Sequence, residues 1–153
     1  MTTIPYATLA DASDDALRRL PLILFTVTVH LPGDTEVERV YSTHPEIYPV
    51  GGRKKLDPSQ SSPIWNEQVV VGQRGYVGSD RAAVREFFFD WATIESLGCD
   101  SIINTPVVVE GKTIGTINFL GAQYALTEAD LPVALEITEA ATSAIERAWR
   151  QAG

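Results

Sequence analysis

The sequence predicts an α/β (α+β) fold, an antiparallel sheet with helices on both sides, and three observations carry that reading. Residues 101–123, SIINTPVVVEGKTIGTINFLGAQ, place two β-rich runs around a two-residue Glu110-Gly111 turn. Apolar side chains fall on both faces of that hairpin, so both faces are expected to be covered. An Ala-rich segment with apolar spacings of three and four follows and reads as a long helix.

From the N-terminus, Ser13 to Leu20 is expected to form two helical turns, with Ser13 as N-cap, Asp14 and Asp15 near the positive end and Pro21 as the stop. Leu22 to Leu31 alternates in its second half. Phe25, Val27, Val29 and Leu31 share one face; Thr26, Thr28 and His30 share the other. Pro32-Gly33-Asp34 is turn chemistry, and a strand over about Val37 to Ser42 closes a hairpin. Thr43 to Ser62 has no apolar period and contains Pro45, Pro49, Pro58, Gly51 and Gly52. A loop of about 20 residues in so small a domain is usually functional or disordered. Pro63 to Val71 reads as helix ending at Gly72, and Tyr76 to Ser79 as a short strand. Asp80 caps a helix running to about Phe89, and Trp91 to Leu97 forms another ending at Gly98.

A two-residue turn sets the hairpin register by equal steps from Val109 opposite Lys112. Thr105 then lies opposite Thr116 and Ile103 opposite Asn118, with Asn104 on the other face opposite Ile117. In the last helix Thr127 and Asp130 have capping-box spacing, and Asp130 caps the main helix with Pro132 in its first turn. Ala134, Ile137, Ala141, Ala144 and Ala148 form one row, beside Leu131, Leu135, Ile145 and Trp149. That stripe either packs on the chain's own sheet or admits a second helix in a homodimer.

The 153 residues are expected to form one domain over 1–153. Folding at that length buries roughly 68–70% of the extended surface, so no disulfide or metal staple is needed. With 12 basic against 20 acidic residues, the net charge of −8 repels phosphate backbones, and no nucleic-acid partner is expected. No apolar run reaches the length of a membrane span. MTTIPYATLADASDD lacks a basic segment followed by an apolar one, so no signal peptide is expected. Cys99 is the single cysteine, which excludes an internal disulfide. These features favour a cytoplasmic protein, with no metal and no cofactor expected.

The element order, with IESLGCDSIINTPVVVEGKTIGTINFLGAQYALTEADL, resembles the C-terminal half of a GAF domain. The matching features are a helix ending in Leu-Gly, a strand ending in Thr-Pro-Val, the Glu-Gly turn, an Ile-Gly-Thr-Ile strand and the Thr-Glu-Ala-Asp-Leu helix start. The first hairpin and PIWNEQVVVGQRGY fit the N-terminal half, so the resemblance covers about Leu20 to Arg150. It implies a stand-alone unit with a central antiparallel sheet of five to six strands. It also implies a small-molecule pocket roofed by the segment after the second strand, and dimerisation through terminal helices. No known GAF ligand transfers with it. The methionine sulfoxide reductases of this type use several cysteines, whereas Cys99 stands alone. The Asp-Ile-Pro signature of bilin-binding members and the Asn-Lys-Phe-Asp pattern of cyclic-nucleotide members are both missing.

Tyr41 to Lys55 is the chemically densest segment. His44 and Tyr48, with Arg53, Lys54 and Lys55 supplying charge and Gly51 and Gly52 turning backbone N–H groups inward, would hold a carboxylate or phosphate under the lid. The alternative is a solvated loop that the prolines and glycines merely shape. Trp65 and Tyr76 either stack on a ligand or fill core, and Thr105, Thr116 and Asn118 form a polar trio needing partners on a covered face. Phe87, Phe88 and Phe89 point in different directions, and Asp90 is expected to cap the following helix. His30 reads as a core or rim residue, and Cys99 as a buried small hydrophobe or as a nucleophile needing a base such as His44. No catalytic residue is assigned. The functional expectation is a homodimeric signalling sensor or ligand-binding protein for a small anionic metabolite. The alternative is an isomerase, hydrolase or lyase acting on a small organic acid, and a bare dimerisation unit would leave the lid unexplained.

Overall fold

The structure, a computed structural model, describes residues 4–153; Met1–Thr3 of the segment read for a secretion signal lie outside the described residues. Helix α1 (Leu9–Arg19) leads into strands β1 (Leu24–His30), β2 (Glu36–Ser42) and β3 (Arg53–Lys55). A π-helical segment (Trp65–Val71), strand β4 (Tyr76–Gly78) and helices α2 (Arg81–Phe87) and α3 (Trp91–Ser96) follow. Strands β5 (Ser101–Val109) and β6 (Lys112–Gly121) and helix α4 (Leu131–Gln151) complete the chain. The sheet is six-stranded in the order β3-β2-β1-β6-β5-β4, and every pairing is antiparallel.

One face of the sheet is closed by α4, with α1 packed beside it. Phe25, Val27 and Val29 of β1 and Ile103, Ile117 and Phe119 of the central hairpin meet Ala134, Ile137, Ala141 and Ile145 there. Full burial of side chains the size of Ile137 and Ile145 contributes about 1.5–3 kcal/mol each. The alanine row therefore packs on the chain's own sheet, with Ala141 and Ala144 buried. It does not form an outer helix–helix seam. The opposite face is covered by α2, α3, the π-helical segment and the loop after β2, around Trp65, Val69, Val84, Phe87 and Ile102.

The local signals hold in most places. Thr127 and Asp130 form the capping box and Pro132 sits in the first turn of α4, but Asp130 does not cap α4 itself, because its carboxylate is taken by the Thr127 N–H at 2.9 Å. Asp80 caps α2 by accepting from the Ala83 N–H at 2.9 Å. Glu110 and Gly111 both take positive φ, 52° and 78°, as a two-residue turn of primed type requires. Two expectations are corrected at the ends of elements. Helix α1 starts earlier, at Leu9, because Thr8 caps it by accepting from the Asp11 N–H at 3.1 Å; Ser13 is buried inside the helix. The supposedly structureless segment after β2 contains the edge strand β3, paired with β2 from Glu36↔Lys55 to Glu38↔Arg53.

The hairpin register also departs from equal steps. Val109 faces Lys112 and Val108 faces Thr113, but Val107 faces Gly115, so Ile114 is an extra residue in β6. This bulge moves every later pair by one. Asn104 pairs with Asn118 and Thr105 with Ile117, not Thr105 with Thr116. A second bulge makes Val40 extra in β2: Thr28 faces Arg39 while Val27 faces Tyr41. Tyr41 consequently packs on Phe25 in the helix-covered core, whereas Arg39 turns to the other face.

Burial of Ala141 against the sheet gives a direct test. Ala141→Glu is expected to destabilise the folded chain by on the order of 3–5 kcal/mol, because the new carboxylate would be buried without a partner. A denaturation midpoint equal to that of the unaltered chain would place this row outside the core.

Candidate functional site

The face of the sheet away from α4 carries a cavity of about 480 Å³, within the range of small-molecule sites. Its floor is the polar side of the central strands. Thr26 and Thr28 of β1 and Thr116 and Asn118 of β6 line it, with Leu24 and Leu120 at one end. These groups bond to one another. The Asn104 amide donates to Asn118, the Asn118 amide donates to the Thr26 hydroxyl at 3.1 Å, and the Thr28 and Thr116 hydroxyls lie 3.0 Å apart. A ladder of this kind satisfies most of its own polar atoms; the buried Asn104 Oδ1 has no protein partner.

Aromatic side chains form the walls. Trp65, Phe87, Phe88 and Phe89 all line the cavity because α2 stops at Phe87 and the chain turns extended at Phe88. Phe87 and Phe88 are buried while Phe89 is 50% exposed, in keeping with three consecutive rings that cannot share one core. Tyr48 and Asp90 close the rim, the Tyr48 hydroxyl donating to Asp90 Oδ2 at 2.7 Å. Burial, then the hydrogen bond and charge of Asp90, hold the Tyr48 phenol far above its ordinary value, so it is neutral at physiological pH. Asp90 occupies the N-cap position of α3 but makes no capping bond. The expected cap is instead a tether between the two segments that roof the cavity.

Two cations enter this space. Arg39 lies over the Tyr48 ring at 4.9 Å and donates from Nη1 to the Pro49 carbonyl at 3.1 Å; its buried Nε has no partner. The Lys54 Nζ lies 5.1 Å from the centre of the Trp65 ring. Among the described residues neither makes an ion pair with a carboxylate. Burial is the main cause that holds both below their ordinary values, and the charge of Asp90 offsets it only in part. Arg53 at the rim is already committed, donating from Nε to Glu38 at 3.0 Å.

Of the residues singled out in the sequence, Tyr48, Arg53, Lys54, Trp65, Thr116 and Asn118 come together at the cavity. His44, Tyr76 and Thr105 do not line it. His44 starts the turn after β2, its carbonyl accepting from the Ile47 and Tyr48 N–H groups and its Nδ1 3.0 Å from the Thr43 hydroxyl. Tyr76 stacks on Phe87 at 4.4 Å, behind the wall. Thr105 faces α4, its hydroxyl 2.7 Å from that of Thr138, because of the Ile114 bulge. The Gly51 and Gly52 N–H groups are bonded to the carbonyls of Arg39 and Pro49, so they form the turn and not an anion cradle.

Cys99 is fully buried outside the cavity, and burial pushes its thiol up to about 12, which removes it as a nucleophile. His30 is buried near Asp34, Nδ1 to Oδ1 3.5 Å, and burial pushes its imidazole down. Arg39 was missed in the sequence. Strict alternation groups it with Val37 and Tyr41, and nothing local announces the bulge that separates them. No group of three or more His, Cys, Asp or Glu side chains suited to a metal ion occurs among the described residues.

No family model matches the chain, and no curated protein matches it. Solved structures do. A methyl-accepting chemotaxis protein matches with a TM-score of 0.69 at 19% identity, over 91% of this chain and 87% of that one. The GAF domain of a two-component sensor histidine kinase from Bacillus halodurans matches with a TM-score of 0.67 at 15% identity, over 92% of each chain. The phycocyanobilin-bound GAF domain of a cyanobacterial phytochrome matches at 0.63 and 13% identity, over 90% of this chain and 81% of that one. Identities this low speak to architecture alone, and the architecture is clear: the chain has the fold of a GAF domain.

Proposed function

We propose that this chain is a single GAF-type unit over residues 1–153 that binds a small organic anion with a flat apolar body. It acts as a cytoplasmic sensor or ligand carrier. One observation carries the reading: Arg39 and Lys54, without carboxylate ion-pair partners among the described residues, converge on a cavity walled by Trp65 and three phenylalanines. A bound carboxylate would offset the desolvation of both cations, and hydrogen bonds to charged groups contribute about 1.5–3 kcal/mol each. A planar group against Trp65 adds about 0.5–1.5 kcal/mol beyond its buried area. Fold neighbours that include a sensor histidine kinase domain and a bilin-bound phytochrome domain support a sensing role. No helix among the described residues is long and apolar enough to cross a membrane.

A second reading, an enzyme acting on a small organic acid, draws on the Tyr48–Asp90 pair, since both residues line the cavity and the Tyr48 hydroxyl donates to the Asp90 carboxylate.

The homodimer belongs to the same proposal, with its contact on the outward face of α4. Leu135 is 43% exposed there, whereas Ala141 and Ala144 are buried within the chain. Leu135→Glu is then expected to shift the chain from dimer to monomer in sedimentation without lowering its melting temperature. An unaltered chain that sediments as a monomer at high concentration would end the dimer reading.

Thermal-shift measurements test the ligand class. At 100 times its dissociation constant an aromatic carboxylate is expected to stabilise the fold by about 2.7 kcal/mol. Its neutral amide should do far less, and Arg39→Gln should abolish most of the shift. Equal stabilisation by acid and amide would show that the cations do not read the ligand's charge.

A further inference from the structure

Anion binding draws on the charge of Lys54 but not on the nucleophilicity of its free amine, which lines the same cavity. In the β2–β3 register Lys54 faces Val37, which makes Arg39 its diagonal cross-strand neighbour on the same face of the sheet. Both side chains line the cavity, together with Tyr48 and Asp90. The three lysines of the chain differ sharply in setting. Lys55 is exposed, and Lys112 pairs with Asp34 at 3.0 Å, while Lys54 is half-buried over Trp65 without an ion pair among the described residues.

Burial holds the Lys54 ammonium below the ordinary lysine value; Asp90 opposes that shift and Arg39 adds to it. Stacking over Trp65 also favours the charged form, so the two tendencies compete. A desolvated lysine beside a second cation is a setting in which the free amine becomes available as a nucleophile towards carbonyl carbon.

We propose that Lys54 captures a 2-oxo acid carrying a flat apolar group as a reversible imine, with the acid's carboxylate paired to Arg39. This rests on the anion-binding reading of the cavity and adds a covalent step to it. The Lys54 nitrogen lone pair forms a C–N bond to the ketone carbon while the C=O π pair moves to oxygen. A proton passes from nitrogen to that oxygen, giving a carbinolamine. The nitrogen lone pair then forms C=N as the C–O bond breaks, and the second N–H proton leaves with the oxygen as water. Nothing is oxidised or reduced. The Tyr48 hydroxyl, bonded to Asp90 in the same cavity, is placed to relay protons between nitrogen and oxygen. A short 2-oxo acid suits the site because its electrophilic carbon is bonded directly to its carboxylate, matching two neighbouring cations.

The test incubates the full chain with phenylpyruvate and sodium cyanoborohydride, then reads intact mass and maps the modified peptide. Thermal shifts with phenylpyruvate and with 3-phenylpropanoate, which has no ketone, are measured in parallel. The expected result is one reduced adduct per chain, on the half-buried Lys54 and not on the exposed Lys55. Lys54→Arg should remove the adduct, and Arg39→Gln, which takes away the carboxylate's charged partner, should reduce adduct formation about tenfold. Stabilisation by both acids with no adduct, or with label spread over Lys55 and Lys112, overturns the imine and leaves anion binding standing. Stabilisation by neither acid with no Lys54 adduct overturns both.

Discussion

The site depends on a geometric constraint in the sheet, the single extra residue at Ile114. Side chains alternate strictly along a strand, so one inserted residue reverses the facing of everything beyond it. Because of Ile114, residues on both sides of the bulge point their apolar groups into one core: Ile114 itself, then Ile117 and Phe119. Thr116 and Asn118 are thereby presented to the cavity beside Thr28 and Thr26. Gly115 allows the strands to come this close, since a Cβ there would stand 2.3 Å from the Thr28 carbonyl oxygen. The polar ladder, the cavity floor and the seating of α4 all follow from that offset.

The second bulge does for charge what the first does for the amides. Without Val40 as an extra residue, Arg39 and Tyr41 would share a face, and either a guanidinium would enter the helix-covered core or a tyrosine would leave it. With it, Tyr41 meets Phe25 and Arg39 is delivered over Tyr48. The turn at Gly51, whose φ is 93°, then brings β3 back beside β2 and places Lys54 on the same side. Gly52 lies tight against this arrangement, a Cβ there falling 2.7 Å from Arg39 Nη1. The cavity cations therefore come from an edge hairpin whose geometry is set by one bulge and one left-handed glycine.

Much of this was legible in the sequence, and the limits have identifiable causes. The turn at Glu110-Gly111, the Thr127–Asp130 capping box and the alternation of β1 are local signals, read within a few residues, and the structure contains each of them. Lys54, Tyr48 and Trp65 were found because unusual chemistry is concentrated in one loop and its continuation. Bulges are different. They are decided by which register buries more apolar surface across partner strands, a non-local balance that no short window contains. Equal steps therefore group Thr105 with Thr116 and Asn118, and strict alternation groups Arg39 with Tyr41, two consequences of the same kind of omission. Asp90 shows the other limit: its sequence position suits a helix cap, but Tyr48, 42 residues away, takes its carboxylate.

The charge balance of the cavity gives the functional reading its direction. The chain carries a net charge of −8, yet the cavity sets Arg39 and Lys54 against Asp90 alone among its nearest carboxylates, and Asp90 already accepts from Tyr48. A folded acidic protein has carboxylates in plenty with which to neutralise two cations; Glu38 does so for Arg53 one position away. Leaving Arg39 and Lys54 without such partners keeps two desolvated donors aimed at enclosed space, where a ligand's charge is screened less than at the surface. A half-buried cation with only aromatic rings and a carbonyl for company keeps part of its desolvation cost, which a ligand's charge would offset. That charge imbalance is the physical ground of the proposed anion site, and the aromatic walls are what would select among anions.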